Sequence, residues 1–223
     1  MRLQEKLNAF TATAIEKGVI SPAILAKFAK GTQELIASGQ AGRAVKAGVS
    51  APTFSLPDAD GAIFDSRNHQ ARGPLVVTFY RGVWCPYCNL DLQALEAARG
   101  ELEARGASLV ALSMQNASSS RKSQRENRLG FPILVDFKGA VADQFGLRFK
   151  LPEELVEVYK QFGNDLAQVN GEPSWTLPMP ARYVIGQDGV VAYAEVNPDY
   201  TKRPEPSDLF PVLDSLKAAR TAA

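Results

Sequence analysis

The order of apolar segments along this chain predicts an α/β sandwich around a mixed sheet, parallel in its middle and antiparallel at one edge, with a helical extension ahead of it. Three observations carry that expectation. An unbroken run, Val76-Val77-Thr78-Phe79-Tyr80, runs through Arg81-Gly82-Val83-Trp84 into Cys85-Pro86-Tyr87-Cys88 and then into leucines at helical spacing, as expected of a buried strand leading into a helix. Two more strand-then-helix pairs follow, Ser108 to Gly130 and Phe131 to Gly146. After them, apolar runs on either side of Asp188-Gly189 read as a hairpin, which places antiparallel strands beside the parallel ones.

Residues 1–46 form two amphipathic stripes, Leu3, Leu7, Phe10, Ile15 and then Ile24, Leu25, Phe28, Leu35, separated by Gly18 and Ser21-Pro22. Serine at a cap with proline in the first helical position is a helix start. No reactive residue type lies on these helices, so they are expected to pack on their own domain or across a homodimer, without a part in chemistry. The glycines from 39 to 48 read as a linker. A short hairpin turns at Asp58-Ala59-Asp60-Gly61, where turn chemistry accounts for both aspartates. His69 falls in a polar loop. Asn116 caps a polar helix whose Arg121, Lys122, Arg125 and Arg128 read as a solvated face. Residues 152–163 are helical, 164–175 loop, and a Pro-rich stretch from Asn197 leads to a final helix carrying Leu209, Val212, Leu213 and Leu216.

Both cysteines of the protein lie in the Cys-Pro-Tyr-Cys tetrapeptide. With Pro86 at the first helical position, Cys85 becomes the cap, beside free N–H groups and the positive end of the helix dipole, where a thiolate is stabilised. Cys88 follows one turn later, within reach of a disulfide. This makes a dithiol redox site, with Cys85 as the exposed nucleophile of lower pKa and Cys88 as the buried resolving thiol. Structural zinc is excluded for want of ligands, since there is no second cysteine pair and His69 is the only histidine. No phosphate-binding glycine loop follows a strand, so no cofactor is implied.

At 223 residues and 45% hydrophobic content the chain can bury a full core without disulfide staples. A net charge of +1 gives no field that steers it to nucleic acid or an anionic membrane. The charged start, Met1-Arg2-Leu3-Gln4-Glu5-Lys6, carries no long apolar core, so a cytoplasmic protein is expected. There a lone C-x-x-C is catalytic rather than structural.

Over about Gly48 to Lys217 the chain resembles the thioredoxin-fold superfamily, and within it the peroxiredoxin-like branch grouped with alkyl hydroperoxide reductases and thiol-specific antioxidant proteins. The resemblance rests on Phe79-Tyr80 ahead of the cysteines, on Phe131-Pro132-Ile133-Leu134-Val135-Asp136, and on Phe145-Gly146-Leu147. Pro180 to Ile185, followed by Asp188-Gly189, is similar to the stretch where thioredoxin relatives hold a cis-proline against the disulfide. It implies a thioredoxin-like three-layer sandwich over residues 47–220 and a cis Met179–Pro180 bond packed on Cys85. The implied activity is a thiol peroxidase: Cys85 reduces a hydroperoxide, Cys88 closes a disulfide, and thioredoxin, glutathione or a similar thiol reopens it. A thiol:disulfide oxidoreductase is the alternative, with Cys85 attacking a substrate disulfide. A redox-sensing interaction module is a third reading. The sequence departs from the family's P-x-x-x-T-x-x-C pattern when counted to Cys85, because Gly82 stands three residues before it and Thr78 seven. The family's arginine aligns near Pro180, with Arg182 close by, and Phe79 holds the place of thioredoxin's buried acid. Arg81, Trp84 and the helix-start N–H groups are then the neighbours expected to act on substrate.

Overall fold

The computed structural model describes residues 1–221. Two helices lead, α1 (Leu3–Glu16) and α2 (Pro22–Ala37). The Ser21 hydroxyl accepts the Ile24 N–H at 3.3 Å, the cap that the Ser-Pro pair predicted. The stretch expected to be a linker is partly ordered as α3 (Gln40–Arg43), with Ala44 buried against Gly146. A hairpin of β1 (Ser55–Pro57) and β2 (Ile63–Asp65) follows, and Asp58 Oδ1 accepts the N–H groups of Asp60 and Ala62, so its carboxylate makes the turn. His69 lies on a short helix, α4 (Ser66–Gln70), stacked on Phe64 at 3.8 Å.

The central sheet then begins with β3 (Leu75–Phe79), followed by α5 (Pro86–Ala104), β4 (Ser108–Ser113), α6 (Ala117–Asn127), β5 (Ile133–Val135) and α7 (Ala140–Gln144). Next come β6 (Arg148–Lys150), α8 (Glu153–Gln161), α9 (Leu166–Asn170) and β7 (Thr176–Pro178). Antiparallel β8 (Ala181–Ile185) and β9 (Val191–Val196) lead to α10 (Phe210–Thr221). α9 lies where the sequence showed only loop, and the β6–β7 pair lies in stretches to which it assigned no element. Three-residue strands carry too little periodicity to read, and α9 depends on the Asp165 carboxylate capping Ala167 and Gln168.

Sheet order is β5-β4-β3-β8-β9, with β3 parallel to β4, β4 parallel to β5, and β3 antiparallel to β8. β3 is therefore central and buried on both faces, the reason it reads as one apolar run. Val76 and Tyr80 face a core closed by α1, α5 and α10, while Leu75, Val77 and Phe79 face one closed by α7 and the hairpin. These are the three layers expected. All peptide bonds among the described residues are trans, so the cis Met179–Pro180 bond is not formed. The Met179 N–H pairs with the Leu147 carbonyl and the Pro180 carbonyl accepts from Asn197, so the chain runs extended through this pair from β7 into β8, a path open to the ordinary trans isomer.

The two N-terminal helices belong to the same body. Leu3 and Leu7 of α1 are part of the main core, and α2 lies so close to α8 that a Cβ on Gly31 would fall 2.6 Å from Leu155 Cδ1. Leu7→Ala, at a site with no exposure, is expected to lower unfolding free energy by roughly 2–5 kcal/mol. Leu25→Ala, on the exposed side of α2, is expected to cost about 0.5 kcal/mol or less. Urea titration of both variants checks this, and equal costs would show that α1 does not share the core.

Candidate active site

β3 ends in the middle of the sheet, and its C-terminal edge delivers the chain into a tight turn. Gly82 has φ +147°, and a Cβ there would sit 2.5 Å from Trp84 Nε1, so only glycine lets the indole fold back over the turn. The turn is held from β4's side by Gln115: its Oε1 accepts Val83 N–H at 2.9 Å and its amide donates to Tyr80 Oη at 2.6 Å. Asn89 of α5 donates to the Val83 carbonyl at 2.8 Å. Cys85 then takes an extended conformation as the N-cap of α5, with Pro86 following, as the sequence predicted.

Both sulfurs are buried, and they share hydrogen-bonding and charge. The Cys85 side chain makes no cap bond to the helix N–H groups; its sulfur interacts with that of Cys88 instead. Burial, then this interaction and the neighbouring charge, push Cys85 well above the ordinary thiol range, with Arg81 and Arg203 only partly offsetting them. Burial alone would raise Cys88 too. It is outweighed by the interaction with Cys85, the charges of Arg203 and Arg81, and the Arg81 backbone N–H, which bring Cys88 down to about 6. The directions run opposite to the expectation that Cys85 carries the lower pKa: burial and the Cys88 sulfur push Cys85 up, while Cys88 is brought down beside Arg203 and Arg81. Counted from Cys88, the threonine place of the P-x-x-x-T-x-x-C pattern is filled by Cys85 and the proline place by Arg81.

What holds that charge is a buried ionic cluster. Arg203 Nη2 lies 3.4 Å from Cys88 Sγ, and its Nε is 3.3 Å from Asp91 Oδ2. Asp91 sits on α5 one turn after Cys88, and its other oxygen pairs with Arg182 of β8. Arg203 also donates to the carbonyls of Tyr200 and Lys202, while Gln4 of α1 accepts the Arg203 N–H at 3.2 Å and donates to the Thr201 carbonyl at 3.1 Å. Glu195 of β9 faces the same cluster, and burial raises it above the usual carboxylate range, ahead of the lowering by Arg182 and Arg203. Two guanidinium groups, Arg182 and Arg203, meet the one carboxylate of Asp91, and the Cys88 sulfur lies against the second of them.

Arg81 is the third buried arginine of the region. It is stacked 4.0 Å over the ring of Tyr200, with Trp84 at 5.1 Å and Tyr159 at 5.7 Å, and it donates through Nη2 to the Tyr159 hydroxyl. Its Nε is buried without a hydrogen-bond partner. These rings continue outward through Phe28 of α2, Phe10 of α1 and Tyr87 of α5, whose hydroxyl bonds Thr11 Oγ1 at 2.8 Å. Together they wall a cavity of about 350 Å³ that reaches Cys85, while Cys88 lies behind it.

Of the residues singled out in the sequence, Cys85, Cys88, Arg81 and Trp84 come together. Pro180 lies between β7 and β8, next to Ala181, which pairs with Phe79 of β3, and does not line this cavity. Asp91 and Arg203 were missed. Asp91 had a signal, a charge on the apolar face of α5 beside Leu92 and Leu95; Arg203 had none. In a Cys85→Ser protein the ultraviolet thiolate absorbance is expected to titrate below the ordinary thiol value. Adding Arg203→Gln raises that midpoint by about one pH unit or more, and Arg203→Lys recovers part of the loss. An unchanged midpoint in a folded Arg203→Gln protein would remove Arg203 from the site.

The model of the AhpC/TSA family matches residues 47–194. Among curated proteins, the chain is 28% identical over 149 residues to Peroxiredoxin Q, chloroplastic, of Oryza sativa subsp. japonica, covering 67% of this chain and 58% of that protein. It is 31% identical over 103 residues to Peroxiredoxin Bcp of Escherichia coli (strain K12), covering 46% and 65%. The chain thus spans about three-fifths of the length of the curated relatives it matches. Among solved structures, Peroxidoxin BcpB from Mycobacterium tuberculosis superposes with a TM-score of 0.60 at 22% identity, over 78% of this chain and 97% of that one. A mutant of Peroxiredoxin 6 of Arenicola marina gives 0.61 at 18%, over 79% and 75%. At these identities the likeness shows the shared fold. With the family model spanning the sheet, the cysteine-bearing helix and the β8 arginine, the chain belongs to the AhpC/TSA family.

Proposed function

We propose that this protein is a thiol-dependent peroxidase that reduces hydroperoxides through a Cys85/Cys88 dithiol–disulfide cycle, re-reduced by an external thiol donor of the thioredoxin or glutathione kind. One observation carries the reading: a dithiol lies at the foot of a cavity, with the outer sulfur, Cys85, reached from the cavity and the inner one, Cys88, held against the Arg203 guanidinium. The names of the relatives point the same way.

The chemistry follows from that division. Cys85 passes its proton to the Cys88 thiolate as its own sulfur attacks the distal peroxide oxygen. The O–O bond breaks, Cys85 becomes a sulfenic acid, and the departing alkoxide takes the proton from Cys88 and leaves as an alcohol. The Arg81 guanidinium on the cavity wall supplies positive charge where that oxygen turns negative. Cys88, again a thiolate, attacks the Cys85 sulfur and expels hydroxide, which leaves as water, so that the two thiols end as a disulfide. An incoming thiolate then attacks Cys85, the sulfur within reach, and Cys88 leaves. Arg203, 3.4 Å from the Cys88 sulfur, stabilises the departing thiolate, and this favours a second reading, exchange with substrate disulfides, by the same geometry.

Arg81→Ala is expected to slow oxidation by peroxide about tenfold or more, on the order of 1.4 kcal/mol, and to change disulfide exchange less. Stopped-flow tryptophan fluorescence of the reduced protein follows both, and a wild type no faster with peroxide than a free thiolate would hand the site to disulfide exchange. The roles of the sulfurs are separable by pH. With Cys88 as base, wild type loses its rate as pH falls through about 6, whereas Cys88→Ser reacts slowly at neutral pH and recovers only above the ordinary thiol range. Fast consumption of one equivalent of peroxide by Cys85→Ser would show instead that Cys88 attacks directly.

A further inference from the structure

The cavity over Cys85 is built largely by residues outside the family-matched segment. Phe10, Thr11 and Ala14 come from α1, Val19 and Ile20 from the α1–α2 turn, and Leu25 and Phe28 from α2, all of them before residue 47, where the family match begins. The remaining wall is mainly aromatic, Trp84, Tyr87, Tyr159, Phe162 and Tyr200, with Arg81 beside Cys85 and with Pro86, Asn164 and Thr201 completing it. Its rim is apolar as well. Val19, Leu25 and Phe162 are 57%, 38% and 39% exposed, and all three border this one opening. Exposed apolar residues gathered round a reactive group mark a ligand surface rather than scatter.

Size and chemistry then select the ligand. A hydrogen peroxide molecule needs little more room than a water, which takes about 30 Å³. The cavity, at about 350 Å³, offers on the order of ten times that and lies within the ~300–1,000 Å³ range of small-molecule sites. An apolar wall gains nothing from so small and polar a guest. It gains from an apolar body that displaces water from the rings while its hydroperoxide end reaches Cys85. A peptide disulfide would bring backbone amides onto a wall with few polar groups to receive them.

Resting on the peroxidase reading above, we propose that α1 and α2 are the substrate-selecting wall of this protein, and that its preferred substrate is a hydroperoxide with a compact aromatic or branched apolar body rather than hydrogen peroxide. The helices that contribute no reactive side chain set specificity. On this proposal they touch the substrate's body and leave the reacting atoms to the cysteines.

The test uses the full-length reduced protein and follows tryptophan fluorescence in stopped flow with cumene hydroperoxide and with hydrogen peroxide. Wild type is expected to react about tenfold or more faster with cumene hydroperoxide, a ratio of the kind that one or two apolar groups in a pocket support. The double variant Val19→Asp/Leu25→Asp changes only rim positions and should fold normally. It is expected to lose most of that preference while its rate with hydrogen peroxide stays within about twofold. Cumyl alcohol, the unreactive product, should bind wild type saturably and the double variant weakly. Equal rates of wild type with the two peroxides, or a preference kept in full by the double variant, would overturn the proposal. If neither peroxide oxidises the thiols faster than a free thiolate, the peroxidase reading itself fails. In that case saturable binding of cumyl alcohol would show an apolar site serving other chemistry, and its absence would show that the wall selects nothing.

Discussion

The contact between Arg203 and the sulfur of Cys88 is the interaction on which the rest of the site depends. A thiolate buried with no exposure is unfavourable by several kcal/mol unless a cation and hydrogen bonds meet it. Here the guanidinium of Arg203, the Cys85 side chain and the N–H of Arg81 do so together. The cation is itself held by Asp91, which Arg182 holds from the opposite side. Remove any member and a charge is left buried without its partner. The cluster therefore ties α5, β8 and the loop before α10 into one electrostatic unit, and the reactivity of the dithiol is a property of that unit rather than of the tetrapeptide.

The same unit explains why the N-terminal helices matter to a site that holds none of their reactive chemistry. Gln4 of α1 fixes both Thr201 and Arg203, so the loop that carries the cation is held in register by α1. Thr11 and Phe10 meet Tyr87 between the two cysteines, and Phe28 of α2 meets Tyr200, whose ring lies under the Arg81 guanidinium. Charge, stacking and cavity wall thus converge on the turn between β3 and α5. A helix pair that looks like a structural addition in sequence is coupled to the thiols through packed aromatic rings and three hydrogen bonds.

What was legible in the chain were features set by neighbours in sequence. Val76 to Tyr80 is apolar without a break because both faces of β3 are covered; Pro86 starts α5 because proline fits the first helical position; Ser21-Pro22 and Asp188-Gly189 mark a cap and a turn through their own backbone preferences. The dithiol, its place at a helix start and the nearness of Arg81 and Trp84 were available for the same reason. The short β6–β7 pair was not, because a three-residue strand has no period to show and is made by pairing with a partner some 28 residues away, as in Arg148 with Pro178 and Lys150 with Thr176.

By itself, then, the sequence determined the mixed α/β order, the redox-active pair and the turn that presents it, all of which follow from local backbone preference and apolar spacing. Tertiary structure alone decided which charges meet the two sulfurs and which rings wall the cavity. Arg203 lies 115 residues from Cys88, and Phe28 and Tyr200 are separated further still along the chain. The acidity of a buried thiol depends on the charges within a few ångströms of it, and the shape of a cavity on the rings that close it. Neither set of neighbours is written into the residues beside the cysteines.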